Sequence, residues 1–157
     1  MISELLGGAK MLKSYRFWLW FAVVVLLLNA LIHSVTLFVE PTPPNETERQ
    51  LVSLLVNYKS DFGAGFKRSM KEIFIALSAC FSMLTLLGGL TLGYLLRKRA
   101  DVRIMKGVTC IHTLVFGICF AVMVVFAFLP PIILTGLIFV SLLVACVLVS
   151  RQPETST

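Results

Sequence analysis

Charge is what this chain has least of. Asp, Glu, Lys and Arg make up only 14% of its 157 residues, about half the share found in soluble domains, whereas 58% are hydrophobic. So little charge cannot clothe a water-facing surface, and a soluble enzyme or binding domain is excluded. No nucleotide loop, nucleophile elbow or metal motif is present, so soluble-style catalysis has no support. There are two histidines, His33 and His112, placed at different depths of different apolar runs; neither a metal nor a cofactor is expected. No cysteine lies in a loop and there is no C-x-x-C. Cys80, Cys110, Cys119 and Cys146 all fall within apolar runs, where they read as small packing residues rather than the surface pair a thiol oxidoreductase needs.

Long hydrophobic runs, by contrast, are abundant. Four are of the length, roughly 20 residues, that crosses a hydrocarbon core of about 30 Å: approximately 17–39, 73–96, 108–129 and 132–149. The first follows Lys10, Lys13 and Arg16 as a signal peptide would. Its length, its Asn and His, and the lack of a small-x-small cleavage site make it a retained span. Basic residues set the expected orientation. Lys10, Lys13, Arg16, Arg97, Lys98, Arg99, Arg103, Lys106 and Arg151 would lie on one side, against Arg49, Lys59, Lys67, Arg68 and Lys71, which five acids offset, on the other. The positive-inside rule then places both termini in the cytoplasm. The net charge of +6 is a topogenic signal facing anionic lipid and needs no nucleic acid to explain it. Tyr15, Trp18, Trp20 and Tyr94 read as interfacial anchors.

The whole chain, 1–157, reads as a single all-α transmembrane domain. Its short links make sequential spans antiparallel neighbours in a four-helix bundle, with Pro130-Pro131 breaking the chain between spans three and four. Gly89 with Gly93, and Gly117 with Ala121, form small-x-x-x-small pairs that permit close helix approach, within one chain or between copies. The one sizeable polar segment is the outer loop, 40–72. Pro41, Pro43 and Pro44 force an extended exit from the membrane. Asn45 or Thr47 can then cap an amphipathic helix with apolar Leu51, Val52, Leu54, Leu55 and Tyr58, lying on the outer interface. The stretch DFGAGF ends that helix, its Phe62 and Phe66 dipping back toward the interface.

The polar groups within the spans supply the candidate site. Asn29, His33 and Thr36 occupy one face of span one, while Ser78, Ser82 and Thr85 follow Glu72 on span two. An ionisable group inside a membrane costs roughly 2.5–3.5 kcal/mol on insertion scales for the strongly charged types, so it is usually paired or lines a cavity. His33 and Glu72, with Asn29, Arg68, Lys71 and Asp61, are therefore the expected ligand-binding residues of an outward-opening polar pocket. A carboxylate beside an imidazole would suit either anchoring or proton transfer. The competing structural expectation is a neutral, hydrogen-bonded His33 and a Glu72 that merely complements the helix dipole at the start of span two.

LIHSV in span one, FGAGFKRSMKEIF, SACFSMLTLLGGL and the hairpin FAFLPPIILTGLIFVSLLVA together resemble a family of small bacterial four-span membrane proteins with no established activity. That resemblance implies a multi-pass protein of the bacterial inner membrane, with Glu72 matching an acid near the start of span two. It implies no chemistry. The leading functional expectation is a protein that binds a lipid or other hydrophobic small molecule through His33 and Glu72, with Arg68 or Lys71 near an anionic headgroup. The alternatives are a membrane enzyme using the His/Glu pair as acid and base on an apolar substrate, and a structural accessory subunit that meets a homo-oligomeric or complex partner through its glycine faces.

Overall fold

The computed structural model describes residues 14–39 and 42–153. The expectations for Lys10, Lys13, Glu40, Pro41 and the Thr36 side chain fall outside what is described. In order along the chain come α1 (Tyr15–Thr36), α2 (Glu46–Asn57), β1 (Lys59–Asp61), β2 (Lys67–Ser69), α3 (Met70–Arg97), α4 (Val102–Phe126) and α5 (Leu129–Ser150). The fold is all-α apart from one short hairpin, and α1, α3, α4 and α5 are each long and apolar enough to cross a membrane.

Local chemistry accounts for the ends of these helices. At α2, Asn45 is the cap, its side-chain oxygen accepting from Glu48 N–H at 2.8 Å, and Glu46 and Glu48 lie in the first turn where the dipole favours acids. At α4, Asp101 accepts from Arg103 N–H at 2.7 Å. Helix α3 opens with a reciprocal box: Glu72 N–H donates to Ser69 Oγ at 3.3 Å, and Ser69 N–H donates to Glu72 Oε2 at 2.7 Å. It closes with a Schellman pair, Ala100 N–H to Leu95 C=O and Arg99 N–H to Leu96 C=O, which requires Arg99 at φ 51°.

Three expected boundaries shift. Span one stops being helical at Thr36, short of Val39. Span three runs from Val102 to Phe126 rather than 108–129, because Asp101 caps it a turn and a half earlier. Pro130 and Pro131 do not break the chain between spans; they sit in the first turn of α5, where a missing N–H costs nothing, and the turn itself is Ala127–Phe128.

The chain divides into two compact units, 1–29 with 85–157, and 30–84. In the first, Tyr15, Leu19, Ala22, Val23 and Leu26 form the buried stripe of α1, at the spacing a helix needs to present one face. Glycines set how closely the helices approach. A Cβ on Gly89 would stand 3.0 Å from Leu27 Cδ2 and 3.3 Å from Leu26 Cβ, and one on Gly93 would stand 3.5 Å from Val23. Gly88 sits under Phe116 of α4, while Gly117 and Gly136 receive the rings of Phe139 and Phe120. Sequential helices are thus neighbours here, and Gly89, Gly93 and Gly117 are met by the chain's own side chains, whereas Ala121 is exposed. The opposite faces, with Trp20, Val24, Ile111, Leu114 and Val125, are exposed along whole helix lengths, which suits a lipid surround rather than water.

Hydroxyls inside the spans mostly bond to their own helices. Ser34 donates to Ala30 C=O, Ser82 to Ser78, Thr113 to Thr109, Thr135 to Pro131 and Ser141 to Leu137.

Gly89→Leu must push Leu26 and Leu27 aside and is expected to destabilise the protein by about 1–3 kcal/mol. Gly107, with open space around its Cβ position, is the internal control. Thermal unfolding in detergent should show a lowered midpoint for Gly89→Leu and an unchanged or raised one for Gly107→Ala.

Candidate functional site

The second unit, 30–84, contains five of the six candidate residues. Its hairpin pairs Lys59 with Ser69, Ser60 with Arg68 and Asp61 with Lys67. The connecting FGAGF turn needs left-handed backbone at Gly63, Ala64 and Gly65, with φ of 92°, 51° and 82°. Gly63 N–H donates to Asp61 Oδ1 at 2.8 Å, and Phe62 N–H to Phe66 C=O at 3.0 Å. DFGAGF is therefore the turn of a strand pair and not simply the end of the preceding helix. Asp61 is occupied in shaping it.

His33 and Glu72 do not share a pocket. The His33 ring lies edge-on to Phe81, with centroids 5.0 Å apart and planes at 65°. Phe81 is nine positions beyond Glu72 on α3, which at about 1.5 Å per residue is roughly 13 Å along the helix axis. Glu72 meanwhile closes the box with Ser69. An acid and a base assembled around one substrate are not what this geometry provides. Asn29 belongs to the other unit. It is buried at 2% exposure, and its Nδ2 has no hydrogen-bond partner among the described residues; the same holds for Thr109 Oγ1.

What the second unit does form is an open, mainly apolar groove of about 240 Å³. Leu37 and Val39 contribute from the segment after α1. Val52, Leu55 and Val56 come from one side of α2, and Lys71, Phe74, Ile75 and Ser78 from the first two turns of α3. The α3 residues lie at i, i+3, i+4 and i+7, the spacing of a single helix face. Lys71 is the one charged residue in the wall and the one expected site residue that lines it. The wall is otherwise apolar apart from Ser78, and an apolar lining looks the same as an apolar core until the helices are placed. The available signal was Lys71 itself, a cation on the same face as Phe74, Ile75 and Ser78.

Within 14–39 and 42–153, no cluster of three or more His, Cys, Asp or Glu is close enough to hold a metal ion. The groove offers mainly apolar surface with a single cation.

Removing either half of the Ser69/Glu72 box should loosen the start of α3. Ser69→Ala is expected to cost about 1 kcal/mol, Glu72→Ala to shift stability in the same direction, and the double variant to lose little more than Ser69→Ala alone. Thermal melts of the three proteins in one detergent check this. A fully additive pair would show that the two side chains act separately.

No protein-family model, no curated protein and no solved structure matches this chain.

Proposed function

We propose that this chain is a multi-pass protein of the bacterial inner membrane that holds a single-chain anionic amphiphile in the groove beside α2. The amphiphile's acyl chain lies along Val52, Leu55, Phe74 and Ile75, and its carboxylate or phosphate meets Lys71. The observation that carries this reading is a groove with a single cation set into an otherwise apolar wall. The groove holds about 240 Å³, so it would cover part of one acyl chain and leave the rest to the surrounding apolar surface.

Both termini are placed in the cytoplasm, supported by the excess of Lys and Arg beside the ends of α1 and between α3 and α4. Helix α2 then lies on the outer interface as an amphipathic helix. Its Val52 and Leu55 are turned to the groove, Leu51 and Leu54 are exposed toward the acyl boundary, and the Glu46–Arg49 ion pair, 3.1 Å apart, faces water. Lys59, Lys67 and Arg68 of the hairpin gather near the same end of α3 and add to the attraction for an anion. Catalysis by His33 and Glu72 draws no support from their separation. A purely structural accessory role would need glycine faces open to a partner, whereas Gly89, Gly93 and Gly117 are covered by Leu26, Leu27, Val23 and Phe139.

Native mass spectrometry of the detergent-purified protein, with palmitoyl-lysophosphatidylglycerol or its choline counterpart added, tests the proposal. One cation near a headgroup contributes about 1 kcal/mol, so the anionic lipid should be retained roughly fivefold better. Lys71→Gln should remove most of that preference, and Ile75→Trp, which fills the groove, should abolish both adducts. Equal retention of the two lipids, unaffected by Ile75→Trp, overturns it.

A further inference from the structure

Four contacts along the α4–α5 hairpin share one antiparallel seam. Gly117 faces Phe139, and Gly136 faces Phe120, three residues further along α4 and three earlier along α5. The rings of Phe120 and Phe139 stack at 5.8 Å with planes 18° apart. Stepping back seven residues from Gly117 along α4 gives Cys110, and stepping forward seven from Phe139 along α5 gives Cys146. The two sulfurs stand 3.0 Å apart, and both cysteines are free thiols. The two glycine layers each set a small residue against a ring, but the cysteine layer sets small against small. All of these residues lie in one compact unit.

Two neighbours frame the pair. Thr113, one turn beyond Cys110, donates to Thr109 C=O at 2.8 Å, and Ser150, one turn beyond Cys146, donates to Cys146 C=O at 2.7 Å. Cys110 is exposed on the surface of the hairpin, within a helix long and apolar enough to cross a membrane, while Cys146 is half-buried. The other two cysteines, Cys80 on α3 and Cys119 on the next turns of α4, have no such sulfur partner among the described residues. Reading all four cysteines as buried packing residues thus fails for Cys80 and Cys110, which are both exposed, and Cys110 is also in contact with a second thiol.

We propose that Cys110 and Cys146 form a reversible intramolecular disulfide that staples the last two spans together, formed by a lipid-soluble quinone. The oxidant class follows from where the pair lies, since an apolar two-electron acceptor reaches Cys110 from the lipid side. Both S–H bonds break and one S–S bond forms. The two electrons and two protons pass to the quinone carbonyl oxygens, leaving a hydroquinone. A dithiol reverses the bond by exchange. The proposal is independent of ligand binding in the groove.

The test uses the full chain in detergent, incubated with duroquinone, whose fully substituted ring cannot alkylate thiols. The protein is then denatured, its remaining thiols are capped with N-ethylmaleimide, and intact mass and non-reducing peptide maps are recorded. Before oxidation the chain should take four caps, one for each cysteine. Afterwards it should take two, with one linked peptide pair containing residues 110 and 146, and dithiothreitol should restore all four. Cys110→Ser and Cys146→Ser should each keep every remaining thiol, whereas the Cys80→Ser, Cys119→Ser double variant should still lose both of its thiols. Four caps on the oxidised wild type, a linkage through Cys80 or Cys119, or a linkage between two chains would each overturn it.

Discussion

A polar group in hydrocarbon has no water to fall back on, and that constraint governs nearly everything in this structure. It explains why the apolar runs are helices, whose backbone bonds close internally. It also explains the behaviour of their hydroxyls: Ser34, Ser82, Thr113, Thr135 and Ser141 donate to carbonyls of their own helices. The helices are consequently self-sufficient in hydrogen bonding. They associate through shape, with glycine opposite phenylalanine on α4 and α5 and glycine opposite leucine between α1 and α3. Asn29 Nδ2 and Thr109 Oγ1 have no hydrogen-bond partner among the described residues, and both residues are buried.

The segments between the apolar helices follow different rules, because there water competes for every polar group. Asn45, Asp101, Asp61 and the Ser69/Glu72 pair all spend their side chains on backbone N–H groups at helix ends or turns. Two of the expected binding acids are therefore structural. This leaves Lys71 as the charged group lining the groove.

Periodicity and composition made the four spans legible, since nothing but a membrane accommodates so many consecutive apolar residues. The Asn45 cap and the glycine pairs were legible for a similar reason: each is a local rule with one physical cause. The strand pair around FGAGF was not, because three-residue strands carry no periodic signal. The place of Glu72 as a first-turn acid was legible, but its capping partner was not. Ser69-Met70-Lys71-Glu72 has the spacing of a capping box, but an acid beside a predicted span drew attention to pairing within the membrane instead. The groove and the cysteine contact depend on helix register, which short loops restrict to antiparallel neighbours without fixing the rotation of each helix.

The two-residue turn between α4 and α5 has a consequence for how the chain enters a membrane. From Gly107 to Ser150 there is no Asp, Glu, Lys or Arg, and Ala127 and Phe128 present no charge at the tip of the hairpin. The pair can thus be delivered into the bilayer as one folded hairpin without dragging a charge across it, while Lys106 and Arg151 remain together on the side from which it entered. Because α4 and α5 already meet along the Gly117–Phe139 and Gly136–Phe120 seam, insertion and packing of this half of the protein become a single event.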